Sequence, residues 1–139
     1  MFNYLIPFER VGQFILNSEI TNYTEDFNFD IHLYGGTSPS EHYSLKQPEI
    51  TLFVNIDNKR IEEVAIYEEL IFKGRNLIGL TIEEFISHTE ENYIGEIDRI
   101  DFEDDNIAQY IYEFENIGLQ VWEKNKEIIT IIVFGNDID

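Results

Sequence analysis

Residues 50–66 read ITLFVNIDNKRIEEVAI, and this stretch decides the fold. Apolar and polar residues alternate over its first half, so the apolar side chains share one face of a predicted β-strand. The polar residues 57–59 supply a turn, after which Val64 and Ile66 place a returning strand beside the first. Ile61 falls out of phase with these two residues, which predicts a β-bulge or a shifted strand start at that point. The whole stretch predicts an antiparallel hairpin.

Further strands surround a second hairpin of similar design. Residues 119–121 begin this hairpin, residues 124–126 supply its turn, and residues 128–134 return almost wholly apolar. A strand with so few polar side chains is typical of the centre of a sheet, where it is covered on both faces. Residues 110–114 also alternate, as do residues 27–34 near the start of the chain, and both are predicted as strands.

Two short helices are predicted, each ahead of a hairpin. Thr81 and Glu84 have the spacing of a capping box, in which the threonine oxygen accepts from the glutamate amide and the glutamate carboxylate reaches back. The apolar residues that follow fall on one helical face, so this helix runs from Thr81 toward Thr89 for about two turns. The earlier helix begins at Ser18, where Thr21 stands in the position of the capping glutamate, and it is predicted to be weaker.

The two segments of helix and hairpin align at near-equal offsets along the chain. This similarity favours two copies of one unit, residues 10–72 and 73–139, and chance similarity between amphipathic elements is the alternative. No Pro-, Gly- or Ser-rich stretch divides the chain, so residues 1–139 are predicted to form a single domain. We expect an α+β fold, a mainly antiparallel sheet with two short helices on one face. Its long connections are residues 37–47 and 90–106.

Charge is the strongest compositional feature of this chain. Its 28 acidic and 9 basic residues give a formal charge of −19, yet 43% of the residues are hydrophobic, which is enough to bury a core. We therefore expect the charge on a folded surface, where it repels nucleic acid phosphates and attracts a basic protein partner. The absence of cysteine excludes disulfides and thiolate metal sites. Neither a signal peptide nor a membrane span is recognisable, so we expect a cytoplasmic protein.

The densest charge lies between Glu83 and Asp105, interrupted by the single base Arg99. Three interpretations are open: a solvated loop, a docking surface for a basic protein, or a divalent-cation site. The cation interpretation lacks the residue spacing and the turn glycine of a calcium loop. Apolar residues recur inside the stretch, which predicts an ordered loop pinned to the body with its carboxylates facing out. These apolar residues are Tyr93, Ile94, Ile97, Ile100, Phe102 and Ile107.

Aromatic residues accompany these acids. Trp122 shares a predicted strand face with Gln120, which makes it half-exposed, and Tyr110 and Tyr112 belong to the neighbouring strand. Aromatic area surrounded by carboxylates is typical of a protein-binding patch, and the alternative is that the aromatic side chains cap the core. The predicted partner-binding residues are Glu90, Glu91, Glu96, Asp98, Asp101, Glu103, Asp104, Asp105, Tyr110, Tyr112 and Trp122.

Recognisable catalytic and metal-binding motifs are absent from the sequence. His32, His42 and His88 are of the one residue type that ordinarily titrates near neutrality, and none lies in a known catalytic frame. His88 and Glu91 are one helical turn apart, and with the neighbouring aspartates they form the alternative hypothesis, a divalent-metal or small-ligand binding module. Residues 35–38 lack the lysine of a phosphate-binding loop and are predicted as a turn. We predict no catalytic residue, no resident metal, no cofactor and no enzymatic activity.

The whole profile resembles that of small bacterial immunity proteins, which neutralise a toxin domain, often a basic nuclease, made by the same cell. That resemblance implies a cytosolic binding protein whose partner is a cognate, basic toxin domain. The layout of helix and hairpin, clearest at residues 78–85 (IGLTIEEF), resembles the tandem repeat of β-lactamase-inhibitor-like folds. The first copy has Asn17 where the second has Gly79. The expected function is therefore protein binding, carried by the acidic stretch and the aromatic residues beside it.

Overall fold

The structure, a computed structural model, describes residues 3–33 and 40–135, apart from the side chain of Leu33. The described residues form thirteen strands, one α-helix and two 3-10 turns, at Ile20–Asn22 and Glu115–Ile117. The α-helix is α1 (Ile82–Thr89). The strands are β1 (Leu5–Ile6), β2 (Arg10–Val11), β3 (Phe14–Ile15), β4 (Asp30–Leu33), β5 (Ser40–Lys46), β6 (Glu49–Asn55), β7 (Ile61–Ile66), β8 (Ile71–Phe72), β9 (Arg75–Asn76), β10 (Asp98–Ile100), β11 (Gln109–Phe114), β12 (Leu119–Lys124) and β13 (Glu127–Phe134).

Eight of these strands form one antiparallel sheet in the order β10-β11-β12-β13-β7-β6-β5-β4. The hairpin predicted over residues 50–66 is β6 with β7, and the register shifts at Val54, which pairs with Ile61, where the sequence predicts an irregularity. The second predicted hairpin is β12 with β13, and Val133 of β13 pairs with Val64 of β7. Each half of the sheet is thus a four-stranded meander, and the halves meet at β7 and β13.

The core lies on one face of this sheet, called the core face below. Alternate side chains from β5, β6, β7, β13, β12 and β11 line up across the strands in two buried rows. The first row is Tyr43, Leu52, Val64, Val133, Leu119 and Phe114, and the second is Leu45, Ile50, Ile66, Ile131, Val121 and Tyr112. From α1, the ring of Phe85 packs 4.5 Å from the ring of Phe114. Fully burying one such side chain contributes roughly 1.5–3 kcal/mol.

The structure confirms the capping box that the sequence predicts for α1. The Glu84 amide donates to Thr81 Oγ1 over 3.1 Å, and the Thr81 amide donates to Glu84 Oε1 over 3.1 Å. Two acids in the first turn lie at the positive end of the helix dipole, which favours them. Ile82 and Phe85 bury the apolar face of the helix, which ends at Thr89 as predicted.

Only one of the two predicted helices is present among the described residues. Beyond Ser18 the chain makes a single 3-10 turn, Ile20–Asn22, without a side-chain cap. The Ser18 hydroxyl donates to the Ile15 carbonyl oxygen over 2.5 Å, and this hydroxyl does not cap the turn. Since the first unit has no α-helix, the structure does not confirm a repeat of residues 10–72 and 73–139. The architecture is mostly antiparallel sheet with one helix.

The first predicted connection, residues 37–47, is mostly a strand. Residues 35–38, predicted as a turn, and residue 39 lie outside the described residues, whereas Ser40–Lys46 form β5 between β4 and β6. Tyr43 and Leu45 are buried on the core face, and polar side chains alternate with them. The prediction of a loop here was wrong because two apolar residues among five polar ones give a weak alternating pattern.

The strand predicted over residues 27–34 begins only at Asp30, as β4 at one edge of the sheet. Phe27 and Phe29 precede this strand, and their ring centroids lie 5.0 and 6.4 Å from that of Phe14. Tyr34, the last residue of the predicted strand, lies outside the described residues. Aromatic packing under the sheet, rather than strand pairing, therefore holds the first part of this segment.

The opposite face of the sheet, called the open face below, is largely half-exposed, although Ala65 and Ile111 on it are buried. The elements that cover the sheet contribute their buried side chains to the core face. β13 is central, as its apolar sequence predicts, but the expectation that both its faces are covered was wrong, because Ile132 on the open face is only half-buried. The central side chains of the open face are Thr51, Phe53, Glu63, Ala65, Glu113, Gln120, Trp122, Thr130, Ile132 and Phe134.

Candidate functional site

Residues 90–107, called the acidic segment below, follow α1 and form one edge of the sheet. Glu90 ends the helix with a left-handed backbone (φ 60°), which turns the chain away from the helix axis. The Ile94 amide then donates to the carbonyl oxygen of Glu113 over 2.8 Å. Four residues further on, β10 begins and pairs with β11. These backbone contacts order the segment and form strand β10, where the sequence predicted only a connection pinned by apolar side chains.

Tyr93 is the main side-chain anchor of the acidic segment. Its ring lies edge-on to Tyr112 with centroids 5.1 Å apart, and 6.1 Å from the ring of Phe114. Both partners belong to the core face, so Tyr93 extends the core under the segment. Aromatic pairs in this geometry contribute roughly 0.5–1.5 kcal/mol beyond the area that they bury.

Four of the six apolar residues in the segment remain exposed on its surface. Ile94, Ile97, Phe102 and Ile107 keep 47, 41, 42 and 41% of their surface exposed. The prediction that apolar residues pin this loop is correct for Tyr93 and wrong for these four. β10 is the edge strand, so the chain on either side of it extends beyond the area that the core covers. Exposed apolar side chains and carboxylates therefore share one surface.

Cations neutralise only two carboxylates of this segment within the described residues. Arg99 Nη2 contacts Asp101 Oδ1 at 3.1 Å, and Lys124 pairs with Asp105. The Lys124 ammonium and the Ile107 amide hold the pKa of the Asp105 carboxyl below its ordinary value. Six acids form no ion pair in the described parts of the chain: Glu90, Glu91, Glu96, Asp98, Glu103 and Asp104. These six leave the segment strongly negative.

The three aromatic residues assigned to the partner surface lie on two different faces. Tyr112 is 9% exposed in a core row, and Tyr110 is half-buried on the same face. Trp122 is half-exposed on the open face beside Gln120, as the strand alternation predicts. The structure therefore does not bring the three together, and only Trp122 joins a surface open to a partner.

A polar network on the open face was not predicted. Trp122 Nε1 donates to Gln120 Oε1 over 2.8 Å, and Gln120 Nε2 donates to Glu113 Oε1 over 2.7 Å. Beside it, a cleft of about 500 Å³ is lined by Leu16, Asn17, Asn58, Arg60, Ile61, Glu62, Glu63, Glu113, Gln120, Phe134 and Gly135. Strand alternation places Glu63 and Glu113 on the open face, and this signal is present in the sequence. Their shared cleft depends on the strand order, which the sequence does not display.

Glu63 is the carboxylate whose charged form this cleft disfavours. Its side chain is half-buried and forms no hydrogen bond or ion pair with the described residues. Burial raises the pKa of the Glu63 carboxyl, and the like charges of Glu62 and Glu113 raise it further. Arg60 lines the same cleft, but its guanidinium donates to the Asn17 carbonyl oxygen over 2.7 Å. Negative charge therefore dominates the cleft.

The histidines do not form a metal or catalytic centre within the parts of the chain described. His88 Nε2 donates to the Phe72 carbonyl oxygen over 2.8 Å, which ties the ring to the body. His42 lies edge-on to Phe53 at 4.4 Å and cross-strand from His32, and burial lowers its pKa. No group of three His, Asp or Glu side chains in the described ranges is placed to hold a metal ion. His88 and Glu91 thus gain no further ligand for the alternative hypothesis.

Comparison with known proteins adds no family to these observations. No family model matches the chain, and neither the curated proteins nor the solved structures contain a match. Across residues 3–33 and 40–135, no helix has the length and apolar character needed to span a membrane.

Proposed function

We propose that this protein binds a basic protein partner through the acidic segment, and that it is an immunity protein that neutralises a cognate toxin domain. One observation carries the proposal. Exposed apolar side chains stand among carboxylates without cations, on a segment that backbone hydrogen bonds hold against the sheet. Such a surface suits a partner of opposite charge that also buries apolar area.

Neutralisation in this proposal is by occlusion of a cationic active site. The carboxylates speed the encounter, because long-range attraction raises the association rate of oppositely charged proteins. Phe102 and Ile97 then exclude water at the centre of the contact, where aromatic and aliphatic side chains contribute most of the binding free energy. The charge of −19 opposes nucleic acid phosphates, so the protein competes with nucleic acid for the basic surface.

The charge test needs a cognate toxin domain, and the proposal expects one to be encoded by a neighbouring gene. The variant Glu96→Gln, Asp98→Asn, Glu103→Gln, Asp104→Asn is compared with wild type by stopped-flow association and calorimetry. We expect its association rate to fall about tenfold or more at about 50 mM NaCl, and to differ little at about 500 mM. The matched control, Glu9→Gln, Glu25→Gln, Asp26→Asn, Glu68→Gln, removes four exposed acids elsewhere. Absence of a complex with the wild type at low salt contradicts the proposal.

The apolar test changes Phe102 to Ala together with Ile97 to Ala. We expect dissociation to accelerate by about tenfold or more, because truncation of central apolar contacts acts mainly on the dissociation rate. Ile56→Ala is the control, since Ile56 is 41% exposed on the turn of the first hairpin. Equal dissociation rates for the double variant and the control would place the partner on another surface.

A further inference from the structure

One cross-strand row connects the acidic segment to the open face, and Ile111 within this row is buried. Asp98 of β10 pairs with Ile111 of β11, Ile111 pairs with Trp122 of β12, and Trp122 pairs with Thr130 of β13. These residues lie in one cross-strand row, and the row leads from the acidic edge to the middle of the sheet. A partner seated on the acidic segment therefore lies beside the open face.

We infer that the open face is a second part of the partner interface, and that Glu63 and Glu113 together receive a lysine or arginine side chain of the basic protein partner. This inference rests on the proposed function, because it names how the same partner is held. The half-exposed Phe53, Ile132 and Phe134 pack against the aliphatic stem and the neighbouring side chains of that partner.

Charge complementarity selects this occupant. The cleft contains Glu62, Glu63 and Glu113 against one cation, Arg60, whose guanidinium contacts the Asn17 carbonyl oxygen at 2.7 Å and Glu19 at 3.8 Å. Arg60 is therefore bound to other groups, and it does not occupy the place beside Glu63 and Glu113 that a partner's cation would take. A lysine or arginine brings the missing positive charge together with apolar methylene groups.

Glu113 is already positioned for such a contact. The indole N–H of Trp122 fixes the orientation of the Gln120 amide, whose nitrogen then faces Glu113 Oε1. The second oxygen, Oε2, has no hydrogen-bond partner among the described residues. Pre-organised acceptors lose less conformational entropy on binding, which raises affinity.

The fold disfavours the charged form of Glu63, and a partner's cation offsets this effect. Burial and the two like charges raise the pKa of its carboxyl, so its charged form is disfavoured in the fold at neutral pH. Residues that lower the stability of the free protein are characteristic of functional sites. A cation placed between Glu63 and Glu113 supplies the missing opposite charge.

Other occupants fit this face less well. A second copy of the chain also carries a charge of −19 and presents the same glutamates, so two copies repel each other. The four residues after Gly135 include two aspartates, whose charge is also of the wrong sign. Phosphates of a nucleic acid are repelled for the same reason.

The test needs no toxin domain. The probe is a blocked peptide of alternating arginine and valine, about eight residues long, added at low salt, because alternate side chains of an extended peptide share one side and can face the sheet together. Trp122, the one tryptophan of the chain, reports binding on this face through its fluorescence. We expect a saturable change with the wild type, and affinity at least about tenfold weaker for Glu63→Gln with Glu113→Gln.

A matched control separates a specific contact from general attraction. Glu25→Gln with Asp26→Asn removes the same charge from exposed positions, and we expect affinity within about twofold of the wild type. Glu63→Gln alone is expected to raise the thermal midpoint, so loss of binding does not reflect unfolding. Equal weakening by both double variants, or no saturable change with the wild type, overturns the inference. A dimer of the wild type in sedimentation that the open-face variant alters also overturns it, in favour of self-association.

Experiments with the toxin domain test the proposed function separately from this inference. If the toxin domain binds the wild type, and the acidic-segment variant weakens the complex while the Glu63 and Glu113 variant does not, only the further inference is overturned. If both variants weaken it, one partner covers both surfaces.

Discussion

The ring of Tyr93 meets the ring of Tyr112 nearly edge-on, with the centroids 5.1 Å apart and the planes inclined by 69°. Tyr112 is a member of a buried row of the core face, so this contact joins the acidic segment to the core. The proposed binding surface is therefore held by an aromatic side chain beneath it in addition to its backbone hydrogen bonds.

Replacing Tyr93 by alanine is expected to destabilise the protein by about 1–3 kcal/mol, less than a fully buried aromatic residue because Tyr93 is half-buried. Urea unfolding measures this change. Amide exchange at Ile94, whose N–H donates to Glu113, should accelerate more than exchange in β6 and β7. Phe102→Ala is the control and should change stability by no more than about 0.5 kcal/mol, since Phe102 is exposed. Unchanged exchange at Ile94 would refute the role of Tyr93 as anchor.

Removing the cap of α1 tests the link between sequence and helix. Thr81→Ala deletes the oxygen that accepts from the Glu84 amide, and we expect a loss of about 0.5–2 kcal/mol in the free energy of unfolding. Thr81→Ser keeps that oxygen and should lie within about 0.5 kcal/mol of the wild type. Equal losses for the two variants would attribute the effect to the threonine methyl group instead.

The carboxyl of Glu63 makes stability depend on pH in a defined direction. Its pKa is raised in the fold, so the folded state holds this proton more tightly than the unfolded chain. The stability that this proton contributes to the fold is present below the ordinary glutamate pKa, and it is lost as pH rises through the raised pKa. Glu63→Gln should therefore gain stability relative to the wild type as pH rises from about 4 to 7. If the free energies of unfolding of the wild type and of Glu63→Gln change with pH in parallel, this prediction is wrong. Glu68→Gln is the control.

Salt should stabilise the fold. Six of the nine basic side chains form ion pairs in the described parts of the chain, which leaves most of the 28 acids without a cation. Salt screens the remaining repulsion, so the thermal midpoint should rise between about 20 mM and about 500 mM NaCl. The variant with four neutral residues in the acidic segment should show a smaller rise. A melting temperature that does not change with salt would show that the acids do not repel one another appreciably.

Local patterns predicted the parts of the fold that local interactions determine. The alternation over residues 50–66 predicted β6 and β7 and an irregularity at Ile61, because each strand buries one face. The spacing of Thr81 and Glu84 predicted the start of α1, because both bonds of the cap lie within four residues. The first predicted helix lacked this cap, and the chain there forms only a 3-10 turn.

The other features of the fold and of the proposed interface depended on contacts between distant parts of the chain. Whether Tyr112 is buried follows from its pairing with Val121, which places it in a core row. Glu63 and Glu113 share a cleft only because β13 and β12 lie between their strands. Neither strand order nor register can be read from the period of one segment, so the sequence predicted the acidic edge of the proposed interface and missed the open face.

The junction of β7 with β13 also governs how this chain completes its fold during synthesis. β13 is the last strand of the described chain, yet it is the one that joins the two meanders. Until the ribosome releases it, the edge of β7 has no neighbour on that side, and the two core rows that contain Val64 and Ile66 stop there. A nascent chain that lacks β13 therefore exposes an unpaired sheet edge, and such an edge can pair with other chains.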